Sequence, residues 1–264
     1  MNALSMIAAS IAAAVTVLPV APAVPPGRPS RIAATPVDVA LVLAVDISQS
    51  MDKEEQRLQR DGYVSALRSP EIAQAVAEGA HGRIAVAYVE WGGVAEQFVV
   101  ADWTVIDGPD AAAGFADRLA SAPLRSVQRT SISAALAYSA GMIDAAVGSG
   151  VVPERRVIDI SGDGPNNQGG PVTTARDAVA ARGITINGLP LMMGGAGYTL
   201  PNLDAYFEDC VIGGPGSFLI PVRGLGGFAD AIRRKLVLEI AGRDAVAATV
   251  PVAVRPPVDC SMYD

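Results

Sequence analysis

The sequence predicts an α/β fold: a doubly wound, mostly parallel central sheet with one antiparallel edge strand and helices on both faces. Three observations carry this. Short apolar runs alternate with longer helical segments for about 200 residues, the pattern of right-handed strand–helix–strand crossovers. Residues 83–91 and 97–105 are both strand-like and are joined by a short turn around Gly92-Gly93, which reads as an antiparallel hairpin at a sheet edge. Asp46 follows an apolar run directly, and Asp163 comes just after the strand-like residues 156–161, which places polar oxygens at strand C-termini, where parallel α/β sheets hold their ligands.

Taken in order, residues 37–45 form the first strand, apolar without interruption from Val39. Residues 51–67 are a polar-rich helix whose apolar positions are Leu58, Tyr63, Val64 and Leu67, and residues 70–78 a shorter one. Gly82 leads into the second strand, 83–91, and residues 97–105 form the third. Residues 109–120 are helical. Residues 131–147 make a strong helix opened by Thr130 or Ser131 as its cap. The strand 156–161 runs into Gly162-Asp163-Gly164. Pro171 opens a helix that continues to Ala181, matching the preference of proline for the first turn. Gly183 ends it, and residues 184–191 return as a strand. Then come a Gly-rich loop (192–200), a short helix (202–208), a strand (217–222), a last long helix (226–240) and a Pro-containing tail (250–264).

The chain has 264 residues, half of them apolar, which is enough for one domain with appendages. Net charge is −7 and no Lys/Arg run forms a basic patch, so nucleic acid and anionic membranes are poor partners. Residues 6–20 are apolar apart from Ser10 and Thr16. That is short of the roughly 20 residues of a membrane span. It fits the apolar stretch of an export signal followed by the small-residue site Ala21-Pro22-Ala23, although no Lys or Arg precedes it. An uncleaved anchor is the alternative. No cysteine lies near that site, so no lipid anchor is expected. The expected organisation is a signal peptide (1–23), a Pro/Ala-rich linker (24–36), a folded domain (37–243) and a tail (244–264), in a periplasmic or secreted protein. In that setting Cys210 and Cys260 suggest a disulfide, closing about 51 residues and stabilising by about 4 kcal/mol on the chain-entropy model. Two free thiols are the alternative.

Asp46-Ile47-Ser48-Gln49-Ser50 ends the first strand with one carboxylate and two hydroxyls on alternate residues. Thr130 precedes a helix and Asp163 follows a strand, so all five residues can converge at the C-terminal edge. Their hard oxygens suit Mg²⁺ first, with Mn²⁺ or Ca²⁺ as alternatives. Two carboxylates about 5 Å apart repel by roughly 3 kcal/mol at an effective dielectric of 20, which a cation offsets. Hydroxyl ligands leave that cation electrophilic, so it attracts an acidic group from a partner. Taken singly, each residue is an ordinary cap or turn residue, and Ser50 could cap the following helix.

Asp-x-Ser-x-Ser, a later Thr before a helix and a later Asp-Gly after a strand together resemble the metal-ion-dependent adhesion site of von Willebrand factor A (VWA) domains. The chain is also similar to a bacterial group of exported VWA-like proteins, through the stretches 45–51, 160–164 and 232–239. The resemblance implies direct ligation by Ser48 and Ser50, and ligation by Thr130 directly or through water. It implies water-mediated or orienting roles for Asp46 and Asp163, and a coordination position left for a partner's Asp or Glu. It also implies a possible two-state switch in which the last helix moves. Two residues depart from the pattern of better-known members: Gly162 replaces Thr before the acidic residue, and Arg129 adjoins Thr130.

Other candidates read less well. His81 is the only histidine and sits at the opposite end of its strand, so a Ser-His hydrolase is not indicated. The glycine clusters 194–197 and 213–216 lack the Lys-Ser/Thr of a phosphate loop. Glu90 and Trp91 end a strand and read as packing or edge residues, or as a rim to the site. Tyr198 and Asn202 lie in a loop that could shape specificity. The favoured function is a non-enzymatic, exported, divalent-cation-dependent protein-binding domain. The alternatives are metal-assisted hydrolysis by the same cluster, and a structural subunit with a degenerate metal site.

Overall fold

The computed structural model describes residues 34–192, 200–242 and 255–263. The expected signal peptide, most of the linker, Tyr198 with most of the Gly-rich loop, and the first part of the tail lie outside the described residues. Six strands form one sheet in the order β3-β2-β1-β4-β5-β6. They are β1 (Thr35–Asp46), β2 (Ile84–Trp91), β3 (Gln97–Ile106), β4 (Val151–Gly162), β5 (Thr185–Met192) and β6 (Val222–Arg223). Pairing is parallel except between β2 and β3, the antiparallel edge. The doubly wound, mostly parallel architecture is the one the sequence predicts.

Alternation along β1 sorts its side chains between two cores. Val39, Leu41, Leu43 and Val45 face α1 (Lys53–Leu67), α2 (Pro70–Ala77), α3 (Pro109–Ser121) and α7 (Phe228–Ala241). Val42 and Ala44 face the other layer, α4 (Ile132–Gly148), α5 (Val172–Ala180) and α6 (Leu203–Tyr206). A strand covered on both faces must be apolar throughout, which is why its sequence shows a continuous run. Among the described residues no helix is long and apolar enough to cross a membrane.

Several elements differ from expectation. β1 begins at Thr35 and β4 at Val151, because Thr35, Pro36 and Val37 pair with residues 151–153 below the covered part of the sheet. The polar run Glu154-Arg155-Arg156 conceals that extension; Arg155 turns inward and donates to the carbonyls of Glu239 and Ile240, at 2.6 Å each. α1 begins at Lys53 with Asp52 as its cap, in a capping box with Glu55. Ser50 is therefore not the cap. The strand expected over 217–222 shrinks to β6 and an isolated bridge between Gly188 and Leu219, since Pro221 has no N–H to donate to a ladder. The short helix expected over 202–208 is α6 followed by a π-turn, Phe207–Val211. In that turn Cys210 is joined to Cys260 by a disulfide, with the two Cα atoms 5.7 Å apart.

One core is not purely apolar. Lys235 of α7 is fully buried and is paired with Asp159 of β4 and with Glu239 one turn along its own helix. Asn187 of β5 donates to Glu239 Oε1 at 3.1 Å, and the Phe218 ring lies 5.5 Å from the ammonium. Burial, then the charge of Asp159, push the Glu239 carboxyl up to about 8, against pulls from Lys235 and Asn187. Its ordinary value is 4.5, so between about 4.5 and 8 the folded state holds a proton that the unfolded state has released. Stability should fall as pH rises through that window. Glu239→Gln keeps an acceptor for Lys235 and Asn187 and should remove this part of the fall in urea denaturation between pH 5 and 8. An unchanged slope in the variant would refute the assignment.

Candidate metal centre

The C-terminal ends of β1 and β4 bring Asp46, Ser48, Ser50 and Asp163 together. Ile47 N–H donates to Trp91 O and Val127 N–H to Ile47 O, so the segment after β1 is fixed on both sides. The Asp46 side chain turns back, and its Oδ1 accepts from Ser48 N–H at 2.7 Å. Ser50 O–H donates to Asp163 Oδ1 at 2.7 Å. With that proton committed, the 3.0 Å contact between the two serine hydroxyls has Ser48 as donor. One chain of hydrogen bonds therefore runs from Ser48 through Ser50 to Asp163, with Asp46 behind it. Asp46, Ser48 and Thr130 are buried, Asp163 is half-buried and Ser50 is exposed. The cluster thus opens to solvent through Ser50.

Asp46 Oδ2 is buried without a hydrogen-bond partner among the described residues. An orphaned carboxylate oxygen is costly unless something offsets its charge. Burial first, then the charge of Asp163, hold the Asp46 carboxyl well above the usual range, against pulls from Ser48 and from the Asp163 backbone. Burial also pushes Asp163 up to about 6, with Ser50 pulling down and Glu55 adding repulsion. Gly162 leaves the space beside this oxygen open. A Cβ there would lie 3.0 Å from Asp46 Oδ2 and 3.6 Å from the Trp91 ring, a physical reason for Gly where Thr is more usual. An orphaned buried carboxylate oxygen, a second strained carboxylate and two hydroxyls fit a hard divalent cation. Among the described residues no three His, Cys, Asp or Glu side chains gather into a metal-holding group. The donor set here is hydroxyl-rich instead.

Thr130 is tied to the loop after Asp163 through its backbone. Among the described residues no hydrogen bond joins its side chain to the Ser48–Ser50–Asp163 chain. Its backbone is held by Asn167: Thr130 N–H donates to Asn167 Oδ1 at 3.0 Å, and Asn167 N–H donates to Thr130 O at 2.9 Å. Asn166 Oδ1 accepts from Ser133 N–H at 3.2 Å in the first turn of α4. Ser131, not Thr130, caps α4. These two asparagines are positioning residues that the sequence alone did not single out. Their signal was present, since Asn-Asn after Gly-Asp-Gly-Pro is the composition of a side-chain-bonded loop.

The remaining candidates lie elsewhere. Glu90 is buried and paired with Arg60, with Arg125 at 3.5 Å, so it does not rim the site. Trp91 is buried against Gly162. His81 is at the far edge of the sheet, its N–H donating to Asp38 and its Nε2 3.1 Å from Glu154. Arg129 is exposed and lines a shallow groove with Glu96 and Gln168.

A family model described as "Protein of unknown function (DUF1194)" matches residues 36–244. No curated protein matches the sequence. Among solved structures the fold is similar to proximal thread matrix protein 1 (PTMP1) from the mussel byssus, with TM-score 0.57, 14% identity, and coverage of 79% of this chain and 49% of that one. It is similar to a von Willebrand factor type A protein from Catenulispora acidiphila, with TM-score 0.55, 15% identity and coverage of 77% and 43%. It is also similar to the pilus adhesin SpaC from Lactobacillus rhamnosus GG, with TM-score 0.55, 13% identity and coverage of 78% and 30%. The chain spans less than half the length of each. Another structure of the mussel protein has a zinc-occupied MIDAS motif. At these identities the likeness shows the fold, and that fold is the VWA fold.

Proposed function

Because the chain belongs to the family described as protein of unknown function (DUF1194) and has the VWA fold, we propose that it is an exported, divalent-cation-dependent protein-binding domain. Asp46, Ser48, Ser50, Thr130 and Asp163 hold the cation, with Mg²⁺ preferred, and an acidic side chain of a protein partner completes the shell. The observation that carries this reading is the buried, unpartnered Asp46 Oδ2 behind a chain of hydroxyls that ends at a second carboxylate. The cation supplies Lewis acidity and charge; the protein supplies oriented oxygens and an opening at Ser50. A hydroxyl-rich set favours capture of an anion over hydrolysis, which draws on more carboxylates or histidines. Two structural neighbours, a pilus adhesin and a byssus protein with a zinc-occupied MIDAS motif, lend support to an adhesion-type role. Export is supported by the apolar residues 6–20 and by the disulfide, which suits an oxidising compartment.

Mg²⁺ or Mn²⁺ at 100 times its Kd should stabilise the protein by about 2.7 kcal/mol, or roughly 5–10 °C in melting temperature for a domain of this size. The Ser48→Ala/Ser50→Ala variant should show no such shift. Affinity capture from a periplasmic fraction should retain a partner that EDTA releases. A wild-type melting temperature unmoved by Mg²⁺, Mn²⁺ and Ca²⁺ would defeat this reading.

A further inference from the structure

The loop that follows Asp163 is braced from behind. Tyr206, buried in α6, accepts a hydrogen bond from Asn166 N–H on its Oη at 3.1 Å. Asn166 and Asn167 in turn hold the backbones of Ser133 and Thr130. On its other side Tyr206 meets the Tyr263 ring edge-on, with centroids 5.2 Å apart. Tyr263 belongs to the C-terminal segment 255–263, which is tied to the π-turn after α6 at three points. Cys260 is bonded to Cys210. Arg255 pairs with Asp209 at 2.6 Å and with Glu208 at 2.7 Å. Val258 N–H donates to Asp209 Oδ2 at 2.7 Å. A ring contact on α6 and a covalent bond and a charge-assisted fork on the π-turn that continues it thus flank Tyr206.

We propose that Tyr206 is a positioning residue for the Thr130 arm of the site, and that the C-terminal segment is a clasp that keeps it in place. The physical argument is one of order. Asn166 and Asn167 sit in an otherwise Gly-rich loop, residues 162–170, whose backbone is costly to immobilise. A loop of that composition holds Thr130 in one place only if it is itself anchored. Tyr206 Oη supplies an anchor of fixed length, and the clasp supplies rigidity to Tyr206. The clasp reaches the Asn166–Asn167 loop through Tyr206, so loosening it frees the Thr130 arm while leaving Asp46, Ser48 and Ser50 on the rigid end of β1.

The direct test is amide hydrogen exchange on the full chain, which needs no metal. In Tyr206→Phe, which keeps the ring and deletes the acceptor, the amides of Asn166, Asn167 and Thr130 should exchange roughly five- to tenfold faster, while Leu43 in β1 is unchanged. Tyr263→Ala and Cys210→Ala/Cys260→Ala should give the same signature, the first serving where loss of the disulfide impairs folding. Wild-type rates at Thr130 and Asn167 in Tyr206→Phe, or acceleration spread evenly to Leu43, would overturn the proposal. Its bearing on metal affinity rests on the function proposed above. There, Tyr206→Phe should raise several-fold the Mg²⁺ concentration that gives half the thermal shift, each shift being taken from the same protein's metal-free melting temperature. A wild type that shows no metal shift would sink the metal reading alone, and the exchange result would still decide the clasp.

Discussion

Asp46→Asn is expected to uncouple folding from metal capture, with opposite signs. In EDTA at neutral pH the variant should be more stable than wild type, by about 1–2 kcal/mol, because a neutral isostere replaces a buried carboxyl group, one oxygen of which has no hydrogen-bond partner among the described residues. Its Oδ1 still accepts from Ser48 N–H, so the local turn survives. In saturating Mg²⁺ the order should reverse, because the wild type gains about 2.7 kcal/mol at 100 times Kd and the variant gains nothing. Urea denaturation with and without metal reads both signs in one experiment. A variant less stable than wild type in EDTA would mean that the Asp46 carboxylate is satisfied without a cation, and the case for a metal built on its orphaned oxygen would fail.

The second large effect is far from the site. Lys235→Met keeps length and apolar volume but strands Asp159 and Glu239 in the core. Removing one member of a buried ionic group costs about 3–5 kcal/mol, chiefly because the remaining charge is left unpaired away from water. With about 2–4 °C per kcal/mol for a domain of this size, the melting temperature should drop by roughly 6–20 °C. Adding Asp159→Asn and Glu239→Gln to Lys235→Met should recover much of that drop. A single variant that costs under about 1 kcal/mol would show that α7 is held by its apolar face, not by this group. The resemblance to VWA domains implies that the last helix can move. Here such a move must carry Lys235 away from Asp159, so an α7 displacement starts against a buried ionic restraint.

Much of this was legible in the sequence, and for identifiable reasons. The apolar run after Val39 announced a strand covered on both faces, and the Gly92-Gly93 turn announced the antiparallel edge. Asp46, Ser48, Ser50 and Asp163 announced themselves as oxygens at strand ends, and they do converge. What remained hidden depends on contacts between segments distant in sequence. The Asp52 cap is the exception, because its capping box with Glu55 is local and was there to be read. The polar residues 154–156 hid the start of β4 because Arg155 spends its charge on carbonyls of a helix more than 80 residues away. Nothing in the sequence marks Lys235 as buried, since burial of an ammonium is invisible until Asp159 and Glu239 are placed beside it. Asn166 and Asn167 were not singled out because their partners, Thr130, Ser133 and Tyr206, come from two other segments.

The direction of β1 has a mechanical consequence. The strand enters the domain at Thr35 and ends at Asp46, about 36 Å away at 3.3 Å per residue. Whatever is attached before Thr35 and whatever is gripped beside Asp46 therefore pull on opposite ends of one central strand. Tension between them acts along that strand, parallel to its neighbours β2 and β4 on both sides. The hydrogen bonds that flank it are loaded in shear and must yield together instead of opening one at a time. A partner held at the site would load β1 along its own length, between two parallel neighbours.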